Sequence, residues 1–356
     1  MSDRLDQIQR AIRVCKCEAL VVSSLASIRY LTNFSGSNAL VLITGDALTI
    51  LTDRRYRDQV VLEAKNAEPI IAEKDLFAEI KKHDLLKGCR RVAFEAKHLS
   101  CHNFTYLRDS SPNVKFCPTK DIVELATIAK TPEEIEQIHV ACQIAVKVWN
   151  NVLPLIQAGM TELDVAAELS YQAKKCGAEG DAFEPIVASG WRSALPHGTA
   201  SRKKLEKGEL VVIDFGCKYN GFCSDITRTV MLGEANEKQR HIYEAVKQAN
   251  QIAVDSIEAG MGAARLDGVA RRFLKSQGYE KEFSHSLGHG LGLDVHSSPG
   301  IAERSKESIP ADAVITIEPG VYVPGVGGVR IEDDVLVTPS HPKVLTPIPR
   351  ELIEIE

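Results

Sequence analysis

The sequence has no apolar segment that approaches the ~18–20 residues of a membrane-spanning helix. Its first residues, Met1-Ser2-Asp3-Arg4, lead directly into an amphipathic pattern and not into the charged and apolar regions of a signal peptide. It also contains no internal repeat and no low-complexity run. These absences predict a cytoplasmic protein with no membrane partner.

Basic residues are not in excess. The 356 residues include 43 Lys and Arg against 48 Asp and Glu, so the formal net charge is -5. The chain therefore lacks the basic surface that nucleic-acid-binding proteins use, and no nucleic-acid partner is expected. Hydrophobic residues make up 44% and charged residues 26% of the chain, as in ordinary globular proteins. The length allows one large or two ordinary domains.

The cysteines do not form a recognisable framework. There are nine, an odd number, scattered along the chain without a Cys-x-x-Cys motif, so structural disulfides are not expected. Cys217 and Cys223 flank a predicted hairpin that carries Asp214 and Asp225 and could be mistaken for metal ligands. Because acidic residues already supply enough ligands for a metal, the two cysteines are interpreted as reduced thiols. The glycine-rich segment 325–328 lacks the Gly-x-Gly-x-x-Gly spacing and the strand-loop-helix context of a nucleotide site.

Residues 1–125 show strands that alternate with helices, which predicts an α/β layer domain. Strands are expected at 19–23, 39–44, 47–52, 69–72, 91–95 and 114–116. Helices are expected at 3–17, 54–64, 75–86 and 101–108. The whole chain is assigned to the α/β class of the α+β kind.

A second domain is expected over residues 126–356. Thr131 has the features of a helix N-cap, because Pro132 and two glutamates follow it. The apolar spacing predicts a helix from there to about Ile156, with Pro154 marking a stop or kink. A further helix is expected at 161–176. Together they indicate the outer helices of a sheet-centred domain.

Five side chains of metal-ligand type lie between residues 214 and 332, each in a short strand-like or glycine-rich segment. Four are carboxylates and one is an imidazole: Asp214, Asp225, His289, Glu318 and Glu332. We refer to them as the five-residue cluster. An Asp in an apolar strand is costly unless it is paired, hydrogen-bonded or bound to a metal. Several such residues in one half of the chain indicate a shared cation.

The first two acids are separated by a hairpin signal. Asn220-Gly221 is a strong two-residue turn sequence. With that turn, Tyr219 pairs with Phe222 and Asp214 lies opposite Thr227. Because side chains on a strand alternate between faces, Asp225 is then the diagonal neighbour of Asp214, and both carboxylates reach one centre.

The last two acids repeat this arrangement. Segments 321–323 and 329–331 are rich in β-branched residues and flank a turn-rich connector at 324–328. With the connector as the loop, Glu318 and Tyr322 share a face with Arg330 and Glu332. Oxygen ligands with one imidazole suit manganese, iron or cobalt better than structural zinc. Four acids exceed the need of one ion, which favours two metals about 3.5–4 Å apart, as in hydrolases.

The order Asp, Asp, His, Glu, Glu, with its flanking residues, resembles the metallopeptidase family that includes prolidase, aminopeptidase P and methionine aminopeptidase. The resemblance covers residues from about Thr131 to the C-terminus and implies the pita-bread fold for the catalytic domain. All five ligand positions are filled, whereas creatinase and several binding-only relatives share the fold and lack the metal ligands. Segments 30–37 and 51–56 resemble more weakly the creatinase-like N-terminal domain of prolidases, which methionine aminopeptidases lack. That domain implies a proline-directed enzyme and a homodimer.

The resemblance also implies roles around the metals. Positions matching His197, His285 and His296 line the substrate site, and Arg330 matches an arginine that supports the centre or meets the substrate carboxylate. Tyr322 matches a tyrosine near the metals. Taken singly, each histidine is more often a structural hydrogen-bonding residue, but three of them beside five ligands reverse that expectation. An ordinary strand aromatic remains an equal reading of Tyr322.

The expected activity is hydrolysis of the Xaa-Pro peptide bond by a hydroxide that bridges two divalent metals, with Mn2+ preferred and Co2+ or Zn2+ as alternatives. Glu318 is expected to act as general base, and His296 or His197 to stabilise the oxyanion. The substrate is a peptide with proline after the scissile bond, and a dipeptide (prolidase-like) is slightly favoured over longer peptides (aminopeptidase P-like). Two alternatives from other classes are a creatinase-like hydrolase without metal and a non-catalytic peptide-binding protein.

Overall fold

A computed structural model describes residues 2–45 and 47–356 of the chain. They divide into two compact units, Met1–Thr127 and Ile128–Glu356. Within the described residues, no helix has both the length and the apolar character that crossing a bilayer requires.

The first unit is a mixed sheet with helices on both faces. Its helices are α1 (Ser2–Val14), α2 (Leu25–Thr32), α3 (Arg57–Glu63), α4 (Leu76–Lys82), α5 (Cys101–Ser110) and α6 (Ile122–Ala126). Its strands are β1 (Ala19–Val22), β2 (Ala39–Thr44), β3 (Ala47–Asp53), β4 (Glu68–Ala72), β5 (Arg91–Glu95) and β6 (Lys115–Thr119). They lie in the order β4-β3-β2-β1-β5-β6. All six predicted strands are present.

The central strand β1 explains the two-sided core of this unit. Leu20 and Val22 contribute to the cluster on one face, and Ala19 and Val21 contribute to the cluster on the other. A strand buried on both faces is apolar at every position, as the sequence Ala-Leu-Val-Val shows. The short helix α2 was not predicted. It begins at the N-cap Ser24, whose hydroxyl accepts a hydrogen bond from the Ser27 backbone. The cap is a local signal, but a helix of eight residues is too short to show a clear apolar periodicity as well.

The second unit contains four helices and several small sheets. The helices are α7 (Pro132–Val152), α8 (Glu162–Lys175), α9 (Glu237–Asp255) and α10 (Ala263–Ser276). The strands of its first half are β7 (Gly180–Asp181), β8 (Ile186–Ser189), β9 (Leu210–Phe215), β10 (Cys217–Tyr219), β11 (Phe222–Cys223) and β12 (Ile226–Leu232). Those of its second half are β13 (Gly288–Gly290), β14 (Ser297–Ile301), β15 (Val314–Ile317), β16 (Gly320–Val323), β17 (Gly327–Arg330), β18 (Asp333–Leu336), β19 (Lys343–Val344) and β20 (Ile353–Ile355).

The first two helices of this unit, α7 and α8, start where their capping residues predict. Thr131 and Glu134 form a capping box at the start of α7, with Pro132 in the first turn. The helix ends at Val152, and Pro154 lies in the 3₁₀ turn that follows. Thr161 and Asp164 form the equivalent box at the start of α8.

Two sheets carry the core of the second unit. One has the order β20-β12-β9-β8 and the other the order β14-β13-β15-β18-β19. Residues of α7 and α8 pack with β9 and β12 in one apolar cluster, and residues of α9 and α10 pack with β15 and β18 in another. Each pair of helices packs mainly against one sheet, although Cys142 of α7 also packs with Val314 and Leu336 of the other. The acidic side chains lie at or next to strand ends.

Candidate metal centre

The first hairpin has the predicted register. Tyr219 pairs with Phe222, and Thr227 pairs with Asp214. Asn220 and Gly221 have φ values of 47° and 83°, the left-handed conformation that a two-residue hairpin turn requires. Asp225 precedes β12 and is buried, as is Asp214. The hairpin thus holds both aspartates at one end of the β9–β12 ladder.

The two glutamates come together through strands distant in sequence. Ile317 pairs with Asp333 in the antiparallel β15–β18 ladder, so Glu318 and Glu332 follow and precede paired residues. The predicted hairpin between them is also formed, since Val321 pairs with Val329. Its loop is residues 324–326 and not the predicted 324–328, because Gly327 and Gly328 pair with Val323 and Tyr322. The ladder and the hairpin together fix the spacing of the two carboxylates.

Glycines bring His289 close to its neighbours. A Cβ atom on Gly288 would lie 2.0 Å from the Thr316 carbonyl oxygen, and one on Gly290 would lie 2.1 Å from that of Ser298. The same is true of Gly216 in the aspartate hairpin, where a Cβ would lie 2.1 Å from the Ser224 oxygen. These positions accept only glycine, because the strands approach at backbone contact distance.

The five-residue cluster converges on one place. Ligand atoms of Asp225, His289 and Glu332 all lie within 4.8 Å of one another. His289 Nε2 lies 3.7 Å from Asp225 Oδ2 and 3.5 Å from Glu318 Oε1. Its Nδ1 donates to the Gly290 carbonyl oxygen at 3.1 Å, so Nε2 faces the acids as a potential ligand. Asp214 Oδ2 accepts a hydrogen bond from Arg330 at 2.6 Å.

Burial and mutual repulsion shift the cluster's titration. Burial raises the pKa of Asp225 and of Glu332 well above their usual values, and the neighbouring carboxylates raise them further. Burial raises the pKa of Glu318 to about 8, against the opposing effect of Arg330. Burial also lowers the pKa of His289 to about 4, so its imidazole is neutral near pH 7. Without a cation the acids therefore tend to keep their protons, and a positive charge beside them would favour the ionised form.

The donor set fits divalent cations. Asp214 Oδ1 and Asp225 Oδ1 are buried, and among residues 2–45 and 47–356 neither has a hydrogen-bond partner. A buried carboxylate oxygen without a donor is unfavourable unless a positive charge lies beside it. Four carboxylates and one neutral imidazole offer the oxygen-rich environment that manganese, iron or cobalt prefer. The cluster therefore has the chemistry of a metal centre for one or two ions.

The histidines and the tyrosine that the sequence predicted for a substrate site lie near this centre, and the loop of His197 is linked to it through Arg330. The centroid of the His296 ring lies 4.4 Å from the centroid of the His289 ring, and His296 is exposed. His285 Nδ1 donates to the Ser286 carbonyl oxygen, and its Nε2 accepts from the Tyr322 hydroxyl at 2.9 Å. Burial lowers the pKa of His285 to about 4, in agreement with a neutral ring. His197 is exposed in the loop of residues 195–201, which we call the His197 loop.

Arg330 connects the five-residue cluster with the residues predicted for the substrate side. Its guanidinium donates to Asp214, to the Tyr322 hydroxyl at 2.9 Å and to the Pro196 carbonyl oxygen at 3.0 Å. Nε donates to Thr227 at 3.1 Å, and the side chain is 4% exposed. Of the two roles expected for Arg330, support of the centre agrees with these contacts. A substrate carboxylate would have to displace one of them.

Several residues that support the centre were missed by the sequence reasoning. Thr227 donates to Glu332 Oε2 at 2.7 Å, and Asp334 Oδ2 accepts from the Asp225 backbone at 2.9 Å. Each lies two positions after a cluster member, so the two-residue period of a strand was the available signal. Cys217 and Cys223 are buried, and burial raises the pKa of each to about 12, consistent with thiols and not with ligands.

Asn250 on α9 had no local signal. Its amide nitrogen donates to the carbonyl oxygens of Ile317 at 2.9 Å and of Ile331 at 3.2 Å, the residues directly before Glu318 and Glu332. One buried side chain thus ties together the two strands that carry the glutamates.

Replacing Asn250 with leucine should lower the free energy of unfolding by about 1–3 kcal/mol, because two buried carbonyl groups lose their donor. The measurement is urea unfolding of the metal-free protein. Gln248→Leu is the matched control, since Gln248 lies on the exposed side of the same helix, and it should stay within about 0.5 kcal/mol of the wild type. Equal effects of the two changes would contradict the bridging role of Asn250.

Comparison with known proteins agrees with this geometry. Residues 136–339 match metallopeptidase family M24, and residues 4–126 match the creatinase/prolidase N-terminal domain. The chain is 40% identical to an Xaa-Pro dipeptidase of Pyrococcus furiosus over 99% of its own length and 100% of the relative's. A solved Xaa-Pro dipeptidase of Bacillus anthracis superposes with a TM-score of 0.96 at 36% identity, covering 99% of both chains. An X-Pro aminopeptidase of Thermotoga maritima superposes with a TM-score of 0.89 at 37% identity, covering 97% of this chain and 100% of that one.

Proposed function

Because the chain belongs to metallopeptidase family M24, with a creatinase-type N-terminal α/β domain before the pita-bread domain, we propose that it is an Xaa-Pro dipeptidase. The observation that supports this most is the full-length similarity to the Pyrococcus furiosus Xaa-Pro dipeptidase. The convergence of all five residues of the cluster supports a catalytic protein over a peptide-binding one. It also argues against a creatinase-like hydrolase, which needs no metal.

In this proposal Asp214, Asp225, His289, Glu318 and Glu332 hold two divalent cations, with Mn2+ as the first choice and Co2+ or Zn2+ as alternatives. When bound, such cations lower the pKa of water toward neutrality and polarise the scissile carbonyl group. The buried, partner-free oxygens of Asp214 and Asp225 are suited to this role. Arg330 keeps Asp214 oriented through the 2.6 Å hydrogen bond.

Glu318 is the proposed general base. Its side chain is 17% exposed, so one edge of the cluster is open to water and substrate. It would take the proton of the attacking water and deliver it to the leaving nitrogen. This delivery is needed in an Xaa-Pro bond because the amide nitrogen of proline carries no hydrogen.

The remaining predicted residues act on the substrate. His296 and His197 are both exposed imidazoles and would stabilise the negative charge that develops on the carbonyl oxygen. His285 and Tyr322, joined by their 2.9 Å hydrogen bond, would form a fixed wall of the substrate site. Arg330 donates a hydrogen bond to Tyr322 and so fixes the position of this wall relative to the five-residue cluster.

Two alternatives are distinguished from this proposal by experiment. An Xaa-Pro aminopeptidase would act on longer peptides, and the similarity to the Thermotoga maritima X-Pro aminopeptidase favours considering it. A non-catalytic peptide-binding protein is the alternative from another class. The homodimer and the cytoplasmic location stay predictions from the sequence.

Hydrolysis of Gly-Pro, Ala-Pro and Ala-Pro-Ala by metal-free protein resupplied with manganese, cobalt or zinc tests the proposal. We expect release of proline from both dipeptides with at least one metal, and no cleavage of the tripeptide. Cleavage of Ala-Pro-Ala would establish an aminopeptidase instead. A folded protein that binds metal but cleaves none of the three peptides would overturn the proposed function.

A further inference from the structure

Glu162, at the first turn of α8, is a buried carboxylate with an unusual number of donors. Its side chain is 0% exposed. Oε1 accepts from the Ser189 backbone at 2.8 Å and from the Ser189 hydroxyl at 2.9 Å. Oε2 accepts from the Ser201 backbone at 3.0 Å, from the Ser201 hydroxyl at 2.7 Å and from Arg192 Nε at 3.0 Å. Such a fully satisfied buried charge rigidifies whatever supplies its donors.

The donors of Glu162 belong to the His197 loop and its supports. Ser201 is the last residue of the loop, and Arg192 donates through Nη2 to the Thr199 carbonyl oxygen at 2.5 Å. The start of the loop is held separately by the Arg330 bond to Pro196. His197 is exposed, and the backbone of the loop sets where its imidazole can reach.

The second half of the unit contains an equivalent pair. Asp267 on α10 is 0% exposed and forms two hydrogen bonds with Arg271, at 2.8 and 2.9 Å. Arg271 then donates to the carbonyl oxygens of Phe283 at 3.1 Å and His285 at 2.9 Å. Asp267 also accepts from the Leu287 backbone at 3.1 Å. We call residues 283–287 the His285 loop.

We propose that Glu162 and Asp267 are positioning residues, each of which holds one substrate-side histidine through an ion pair with a half-buried arginine and through the backbone of its loop. Glu162 acts with Arg192 on His197, and Asp267 acts with Arg271 on His285. Neither acid belongs to the five-residue cluster. The inference deepens the proposed function and rests on it, because it assigns the two histidines to substrate binding.

Amide variants of the two acids test the inference. Glu162→Gln and Asp267→Asn keep the shape of the side chain but turn an NH2 group toward N–H donors that cannot accept it. Displaced site residues and altered supporting contacts typically cost about 10- to 100-fold in activity. We therefore expect each variant to lower kcat/KM on the best dipeptide by about that factor. The relative changes in kcat and in KM should also match those of the alanine variant of the histidine that each acid positions, which is His197→Ala for Glu162→Gln and His285→Ala for Asp267→Asn.

Double-mutant cycles separate positioning from general destabilisation. Glu162→Gln combined with His197→Ala should lose no more than the worse single variant, whereas Glu162→Gln combined with His285→Ala should lose the product of the two effects. Asp267→Asn should behave in the opposite way. The two pairs therefore serve as controls for each other. Multiplicative losses in all four combinations, or single variants with unchanged kcat/KM, would overturn the proposal.

Hydrogen exchange gives a readout that is independent of the reaction. Glu162→Gln should speed amide exchange in residues 195–201 and leave residues 283–287 unchanged, and Asp267→Asn should do the reverse. Uniform acceleration in both segments, or none, counts against positioning even if the enzyme is active. Conversely, selective acceleration in a protein that cleaves no Xaa-Pro peptide would overturn the proposed function and retain the positioning. If an acid variant does not fold, Arg192→Gln or Arg271→Gln replaces it, because these arginine side chains are 18% and 24% exposed.

Discussion

Replacing Glu318 with glutamine should lower the turnover of an Xaa-Pro dipeptide by about 10²- to 10⁴-fold, the range that a positioned acid or base contributes. The amide has nearly the same shape but cannot accept a proton from water and return it to the leaving nitrogen. The fold should be retained, since the Glu318 side chain makes one long hydrogen bond, 3.5 Å from Thr316 Oγ1. The measurement is kcat with the metal that best supports the wild type, beside the thermal unfolding midpoint.

A control for this loss is Glu307→Gln. Glu307 is a half-buried glutamate of the same unit that accepts from the Gly300 backbone at 2.8 Å and lies outside the five-residue cluster. Its replacement should change kcat by less than about tenfold. Metal content must be compared in both variants, because Glu318 is also a proposed ligand. A metal-loaded Glu318→Gln protein with kcat within tenfold of the wild type would eliminate Glu318 as the base.

The largest expected effect on stability lies directly behind the cluster, at Asp333. Its two oxygens accept from Arg228 at 2.8 Å and from Arg350 at 2.7 Å, and Arg228 is 2% exposed. Asp333→Ala would leave the Arg228 charge buried without its counter-ion, which typically costs about 3–5 kcal/mol. Arg228 would keep only neutral partners, including the carbonyl oxygens of Glu332 and Ile348. The measurement is the urea unfolding midpoint of the metal-free protein.

Glu280→Ala provides the comparison for Asp333→Ala. Glu280 pairs with Lys275 at 2.6 Å, but both side chains are well exposed. Exposed ion pairs contribute about 0–1 kcal/mol, so this change should barely move the midpoint. If Asp333→Ala were equally mild, the buried pair would contribute little, and the Arg228 carbonyl contacts alone would maintain the segment.

The aspartate half of the candidate site was predictable because its geometry is local. Asn220-Gly221 fixes the turn, and the two-residue period then places Asp214 opposite Thr227. The glutamate half depends in addition on the β15–β18 ladder, which joins segments that no nearby turn connects. The hydrogen bonds of Asn250 with two distant carbonyl groups, and those of Glu162 with Ser201, also join segments that are far apart in sequence. Periodicity within a segment holds no information on such pairings.

In the fold, too, elements with a local sequence signal were predicted, whereas elements set by tertiary packing were not. Strands of the first unit were placed within a few residues, since β-branched runs bounded by turn residues are a strong signal. Helices α9 and α10 did not emerge from the sequence reasoning, although Asn236 and Gln239 form a readable capping box before α9. The packing of these helices against β15 and β18 is a tertiary property.

The glycines of the candidate site limit how this enzyme could be changed by selection or by library screening. A Cβ on Gly216, Gly288 or Gly290 would meet a carbonyl oxygen at 2.0–2.1 Å, and one on Gly328 would lie 2.0 Å from the Ser193 oxygen. Saturation mutagenesis at these four positions should yield almost no functional clones. Exposed positions in and just before the His197 loop, such as Trp191 and Leu195, have room for other side chains, and we call them the rim. New substrate preferences should therefore arise at the rim, while the floor of the site stays invariant.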